Sequence, residues 1–520
     1  MFRRRLPLLF VSGLLLCVGG LWCVIAGRAA VSADSLNRIE PGVPYAVETA
    51  FNQASIDLPF DTGRRYVLIV GSLGTPDREH RVTLTARRIG RVIPPAVEQL
   101  PTINLAKKTQ SARQNDAPSE RVIPSVVSLS DEDSRTMTAD SPSAAGRVFF
   151  LHASDGPLED ANAYIGLSAR TIADGRRVRV YLDRRQAAGN AAIGLARAIV
   201  RDLEFEIIPL LQRKLGRVRD IDGDGKFSVL LTPLLGRLQG GRTSVDGFVR
   251  GDDFRAGVRS PFSNHCDMMY LNSRLKPGPH LKTILAHEFA HAVCFSERLA
   301  TEHNRLVRLD EDDWLNEAIA HLAENMADGD WSNLDDRLRD YLNAPEKFPL
   351  VVPDYARAGL WRNAGCRGAT YLFLRWCVDS YGEELLPRLI HSRVRGIDNM
   401  TQATEGRTAS SGFPDLFRRW TVAMYLSGAQ PSAGWEGYRS ICLRGRVGRY
   451  RLDGPHVRRW NVDAGEQTVR LRGTAATYVD LRTSQQAGPR RIRISGTCES
   501  GLQVSIVARR VRARSALRNR

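Results

Sequence analysis

Hydrophobic and polar positions change rhythm several times along this chain. Between residues 40 and 92 "YAVETAF", "RYVLIVGSL" and "HRVTLTARRI" have strand composition, with Asp61-Thr62-Gly63 and Gly74-Thr75-Pro76-Asp77 as turns between them. Residues 100–146 keep no period and are rich in Ser, Thr, Asp, Pro, Gln and Lys, which predicts a flexible linker. From Arg147, "RVFFLHA" and "RRVRVYLD" read as strands. "AAIGLARAIVRDLEFEIIPLLQRKLG" then sets apolar residues three and four apart, a helix that Pro209 is expected to kink. The run Phe227–Leu231 reads as a buried strand and "DMMYLN" as another, after which helical spacing dominates from 281 to 428. Residues 436–510 return to short alternation in "QTVRLRG", "TYVDLRT", "RRIRISG" and "LQVSIVARR", the pattern of a β-sandwich.

The pattern predicts a multidomain α+β chain with a small all-β module near each end. Residues 34–99 form the N-terminal β module, 100–146 the linker, 147–430 a mixed domain, 435–510 a C-terminal sandwich-like module and 511–520 a basic tail. A length of 520 residues fits more than one core, and 43% hydrophobic with 25% charged residues excludes a disordered chain.

Residues 1–33 read as an export signal. Arg3, Arg4 and Arg5 precede the uncharged run from Leu6 to Gly27, and Val31-Ser32-Ala33 offers small residues for cleavage. The run is also about long enough to cross a bilayer, so an uncleaved anchor is the alternative. Bulky Leu16 and Trp22 before Cys17 and Cys23 exclude a lipoprotein. The expected location is secreted or periplasmic, membrane-anchored if the segment stays.

A net charge of +17 falls to +13 without residues 1–33, which carry four arginines and no acid. A basic balance fits nucleic acid, an acidic cell-surface polymer or only a solvated surface; export speaks against nucleic acid, and no nucleic-acid module is evident. Arg509, Arg510, Arg512, Arg514, Arg518 and Arg520 make the tail either a solvated terminus or a contact for a cell envelope or polyanion. Six cysteines follow the signal, too sparse for a disulfide scaffold; Cys442 and Cys498, bracketing one β-rich segment, are the expected pair.

The chemistry concentrates between 287 and 324. In "LAHEFAHAV", His287 and His291 stand four apart, so on a helix both rings reach one ion, and Glu288 beside them can deprotonate a water activated by a metal. A helix with two surface histidines and one core face is the competing reading. Downstream, "DDWLNEAIAHLAENMADGD" groups Trp314, Glu317, His321 and Glu324 near one helical stripe, with Asp312 or Asp313 as cap. A charged Glu317 among Trp314, Leu315, Ile319 and Leu322 is costly to bury unless a cation partners it.

The pair "HEFAH" and "WLNEA" resembles the gluzincin zinc peptidases. The ordered text "DIDGDGKFSVLLT", "MMYLN", "LAHEFAH", "WLNEAIAH" and "ATYLFLRWCVDSYG", within residues 147–428, is similar to the hyicolysin-type exported neutral zinc peptidases. The resemblance covers a little over half the chain, leaving out the β modules and the linker. It implies a zincin-like metallopeptidase domain, with Zn2+ held by His287, His291 and Glu317, Glu288 as general base, and a protein or peptide substrate. Glu324 matches an acidic residue seven places after the third ligand, and Asn316 precedes that ligand as in the pattern. Ala318 departs from the usual glycine, which puts the shape of the cleft in question.

His321 is either a partner for a ligand side chain or an ordinary helix histidine. Cys294, on the stripe of His287 and His291, packs under the helix or serves as a thiolate ligand. An oxyanion donor is sought among Tyr355, Arg362, Tyr371 and His391. Substrate main chain is expected to pair with an edge strand before the motif, with Met268–Asn272 as candidate. Asp220, Asp222 and Asp224 resemble half of an EF-hand loop, but Leu231 stands at its twelfth position; Ca2+ there or a tight acidic turn are the two readings. The function expected is an exported zinc endopeptidase; the alternative is a non-proteolytic cell-surface or envelope-binding protein that keeps the peptidase fold.

Overall fold

A computed structural model describes residues 39–510 apart from 61–62, 91–96, 101–145, 154–156, 239–244, 302–309, 361–362, 407–411, 429–436 and 485–487. The expected signal, nearly all of the expected linker and the tail 511–520 therefore lie outside the described residues. Among those residues, no helix is long and apolar enough to cross a membrane.

Strands β1 (Pro44–Val47), β2 (Gln53–Phe60), β3 (Arg64–Ser72), β4 (Glu79–Arg88) and β5 (Val97–Gln99) come first. Then follow β6 (Gly146–His152), β7 (Tyr164–Asp174), β8 (Val178–Asp183), β9 (Phe227–Thr232), β10 (Gly247–Phe248) and β11 (Met268–Asn272). Helices α1 (Asn190–Arg201) and α2 (Ile208–Lys214) lie between β8 and β9. After β11 run α3 (Pro279–Thr301), α4 (Asp313–Met326), α5 (Asp335–Asn343), α6 (Ala364–Tyr381), α7 (Leu385–Ile390), α8 (Gly396–Thr404) and α9 (Phe413–Leu426). The chain ends in β12 (Arg446–Val447), β13 (Tyr450–Arg451), β14 (Val457–Asn461), β15 (Gln467–Arg472), β16 (Ala476–Arg482), β17 (Gly488–Gly496) and β18 (Leu502–Arg510).

The fold is mixed α+β, but the expected separate β modules at the two ends are corrected. Their strands interleave: one sheet runs β14-β16-β3-β18-β1-β5 and the facing one β15-β4-β17-β2. β3 lies between β16 and β18, and β4 between β15 and β17, so neither end closes a sheet alone. The alternation in each segment signals a half-buried strand and carries no information about which strand supplies the partner ladder. Leu58, Leu68, Val70, Val82, Leu84, Leu471, Ile492, Val504 and Ile506 share its core.

The third sheet is ordered β10-β11-β9-β8-β7-β6. β9 pairs in parallel with β8 and with β11, and all six of its residues are buried, as a continuous apolar run requires of a strand covered on both faces. β11 is therefore internal, which corrects its expected role as an edge; the edge on that side is β10. The break in the first long helix also differs from expectation: α1 passes into a π-helical turn, Asp202–Ile207, ahead of Pro209. Proline has no N–H to donate and its ring crowds the carbonyl four residues back, so the preceding turn widens.

α3 is buried at every position from Thr283 to Cys294, so it threads the core instead of lying on it. Its far end is held by Arg298, buried, which donates to the carbonyls of Leu389, Ser392 and Val394 at 3.0, 2.9 and 2.7 Å and pairs with buried Glu311. Arg298→Ala leaves Glu311 and three carbonyls without their cation. It is expected to cost about 3–5 kcal/mol of stability, read as a lowered denaturant midpoint.

The expected Cys442–Cys498 disulfide is not formed. All six cysteines among the described residues are free, and both members of that pair are exposed. Cys498 lies in the β17–β18 turn, its carbonyl taking a 2.6 Å hydrogen bond from Asn52, whereas Cys442 packs beside Gly428 past the end of α9.

Candidate metal centre

α3 and α4 pack side by side and face His287, His291 and Glu317 toward one point. Helical spacing stacks the two histidines on one face of α3, and Glu317, in the first turns of α4, meets them from the opposite helix. Asp312 sits at the N-cap of α4, but its carboxylate makes no capping bond; Asp313 instead accepts from the backbone N–H of Tyr355 at 2.8 Å. Ala318 is fully buried within an unbroken helix, so the expected glycine is not needed for the backbone here.

The Nε2 atoms of His287 and His291 are 3.2 Å apart. Carboxylate oxygens of Glu317 lie 3.5 Å from the first and 3.8 Å from the second. A tetrahedron of donors at zinc distances has edges of roughly 3.3 Å, so the three side chains fit one ion with a fourth position to spare. Both histidines are only 8% exposed, so the reading of two surface histidines on a half-buried helix does not describe this helix. Burial and the neighbouring His287 hold His291 well below the ordinary histidine range, which keeps its ring neutral and able to donate a lone pair.

A second layer fixes the rings. Oε1 of Glu324, fully buried, accepts from Nδ1 of His287 at 2.7 Å, Nδ1 of His321 at 2.8 Å and Nδ2 of Asn333 at 2.7 Å. Donation from Nδ1 turns the lone pair on Nε2 of His287 toward Glu317 and His291. Burial alone would raise the Glu324 carboxyl, but the charge of His321 and hydrogen bonds from both histidines outweigh it and hold it at about 2. Burial pushes His321 down to about 4. His287, His321 and Glu324 also lie close enough to be considered for a metal. Because both Nδ1 atoms are engaged as donors to one oxygen, we read that group as support for the first.

Glu288 is buried next to His287, and a side chain on Gly247 of β10 would come within 3.2 Å of its Cγ. Burial pushes its carboxyl up to about 7; Glu324 and Asp246 add to the shift, while His287 and Arg367 oppose it. A cation between the three neighbouring side chains would oppose it further.

The oxyanion candidates separate. Tyr371 donates its hydroxyl to Asn325. Tyr355 is buried, with the guanidinium of Arg367 4.3 Å above its ring. His391 sits half-exposed at the end of α7, 3.3 Å from Glu297, and Arg362 lies outside the described residues. Cys294 is buried and is not among the side chains that converge on one point, which fits packing.

Two partners had no signal in the sequence. Arg367 on α6 pairs with Glu317, and Asn333 reaches Glu324 from before α5. No spacing within α6 marks Arg367 as the residue that meets a carboxylate fifty positions earlier.

At the acidic turn, Asp220 accepts from the N–H groups of Gly223 and Gly225 at 2.8 and 3.0 Å, and Asp222 and Asp224 pair with Arg147 and Arg179 at 2.6 and 2.7 Å. Buried Asp267, and not Asp224, lies within reach of Asp220 and Asp222. The arginines already offset the charge a calcium ion would neutralise, so calcium is not supported and the turn reading stands.

No family model matches the chain. A stretch of 139 residues is 26% identical to the neutral metalloprotease ShpI of Staphylococcus hyicus. The match covers 25% of this chain and 30% of that protein, so the chain spans under a third of the relative it matches.

Proposed function

We propose that this chain is a zinc-dependent endopeptidase of gluzincin type, in which His287, His291 and Glu317 hold the ion and Glu288 is the general base. The convergence of two imidazole nitrogens and one carboxylate at 3.2–3.8 Å carries the reading. Likeness of a partial stretch to a neutral metalloprotease supports a peptidase.

Zinc, when bound, supplies a Lewis acid that polarises the scissile carbonyl and acidifies water. Glu288 takes the proton from water on its carboxylate and passes it to the nitrogen of the leaving amine. Glu324 keeps the His287 ring in the tautomer that presents Nε2, and Arg367 orients Glu317 through its ion pair. The edge of β10 away from β11, unpaired among the described residues and beside Glu288, offers N–H and C=O groups to an extended substrate main chain. The apolar segment near the N-terminus supports export, with a protein or peptide as substrate.

The purified chain is expected to carry about one zinc and to hydrolyse a general protein substrate. Chelation is expected to abolish hydrolysis and added zinc to restore it, read by metal analysis beside a cleavage assay. A folded chain that is zinc-free as isolated, binds none on titration and has no peptidase activity would sink the proposal. Zinc without cleavage across a broad peptide library would favour the non-proteolytic binding protein. Glu288 weighs against that alternative, because a structural ion needs no buried base beside it.

A further inference from the structure

The sandwich has two outer faces with different surroundings. The six-stranded sheet is covered by α9: the Tyr478 hydroxyl donates to the carbonyl of Thr421 at 3.0 Å, and Arg418 and Gln503 bridge helix and sheet at 2.9 and 3.0 Å. The four-stranded sheet gives Val82, Leu84, Leu471, Ile492 and Ile494 to the core, and the alternate positions point away from it. On that outer side stand Arg470 and Arg472 of β15, Arg81 and Arg87 of β4, and Arg491 and Arg493 of β17, with Glu79 and Asp57 as the acidic residues among them.

The register sets like charges directly opposite one another. Arg470 faces Arg81, and Arg491 faces Arg87. Such pairs destabilise a sheet, and surface ion pairs return little. Asp57 satisfies Arg491 with two bonds of 2.7 and 2.9 Å, and Glu79 reaches Arg470 at 3.3 Å. Arg81, Arg87 and Arg493 have no side-chain partner among the described residues. The surface continues into a groove of about 720 Å3 whose charged lining is Arg81, Lys347, Arg458, Arg470 and Arg472 with Glu79 and Glu346, the last paired to Arg458.

We infer that this face binds an anionic polysaccharide, one bearing sulfate, phosphate or carboxylate groups. Guanidinium forks match those anions with paired hydrogen bonds. Alternate residues on a strand stand about 7 Å apart and neighbouring strands about 4.8 Å, so one extended polymer meets several arginines at once. Hydroxyls of Thr83, Thr85 and Ser495 on the same side suit sugar hydroxyls. The outward positions of β15, β4 and β17 carry no aromatic ring on which bases would stack and no large apolar side chain to enter a lipid layer.

The test uses the full chain, with heparin as the polysaccharide probe and a thirty-residue oligothymidylate as nucleic acid, titrated across salt. Heparin is expected to bind more tightly than the oligonucleotide at about 0.15 M salt. The triple variant Arg81→Ser, Arg470→Ser, Arg493→Ser is expected to bind heparin at least tenfold more weakly, with a salt slope shallower by about one per arginine removed. Loss of an opposed pair relieves repulsion, so its thermal melt should match or exceed that of the parent. A charge-matched control, Arg197→Ser, Arg357→Ser, Arg388→Ser, removes three exposed arginines elsewhere and is expected to retain binding. Equal weakening in the control, no heparin binding by the parent, or tighter binding of the oligonucleotide each overturns the inference.

Discussion

Glu288→Ala is expected to lower peptide hydrolysis by about 10²–10⁴-fold while zinc content and the thermal melt stay near those of the parent. Glu288 is adjacent to His287 in sequence, but its carboxylate is not among the three groups that converge. Its removal therefore takes away the acceptor for the proton of water and leaves the ion's donors in place. Burial already disfavours its charge, so a neutral side chain there relieves a desolvation cost. Metal analysis and turnover on the same preparation read the two effects separately. A variant that loses zinc together with activity would make Glu288 a ligand and not a base; one that keeps full turnover would remove it from the mechanism.

Glu317→Gln is expected to bring zinc content from about one to near zero and hydrolysis to the level of the chelated parent, since only two imidazoles then remain as donors. Glutamine keeps the shape of the side chain but withdraws the anion that faces both the histidines and Arg367. The guanidinium of Arg367, largely buried and stacked on Tyr355, loses this ion pair as well, while Asp313 and Glu288 remain near it. A fall in stability of about 3–5 kcal/mol is thus expected beside the loss of metal. Arg367→Ala separates the two contributions: it leaves the three donors, so zinc should bind, more weakly, to a less oriented carboxylate. Unchanged zinc affinity in Glu317→Gln would move the third ligand elsewhere, with Glu324 the next carboxylate to try.

The parts of this centre that were legible are those set by the pitch of one helix. His287 and His291 share a face because α3 turns once in 3.6 residues, and Glu324 follows Glu317 by two turns for the same reason. The resemblance of "HEFAH" and "WLNEA" to the gluzincin pattern points to Glu317, and its carboxylate lies near the two histidines. Cap chemistry was less legible: an aspartate before a helix invites the role of cap, yet Asp313 is engaged by Tyr355 from a separate segment.

By itself, the sequence determined which segments alternate and which wind, and which residues of α3 and α4 lie on one stripe, because these follow from backbone pitch over a few residues. Only the tertiary structure decided that residues from both ends close one sandwich, that β10 and not β11 is the edge, and that Arg367 and Asn333 reach the carboxylates. It also decided that arginines face arginines across β15, β4 and β17. Each of these depends on register or packing between separate segments, and a local period says which face a side chain occupies but not what that face meets.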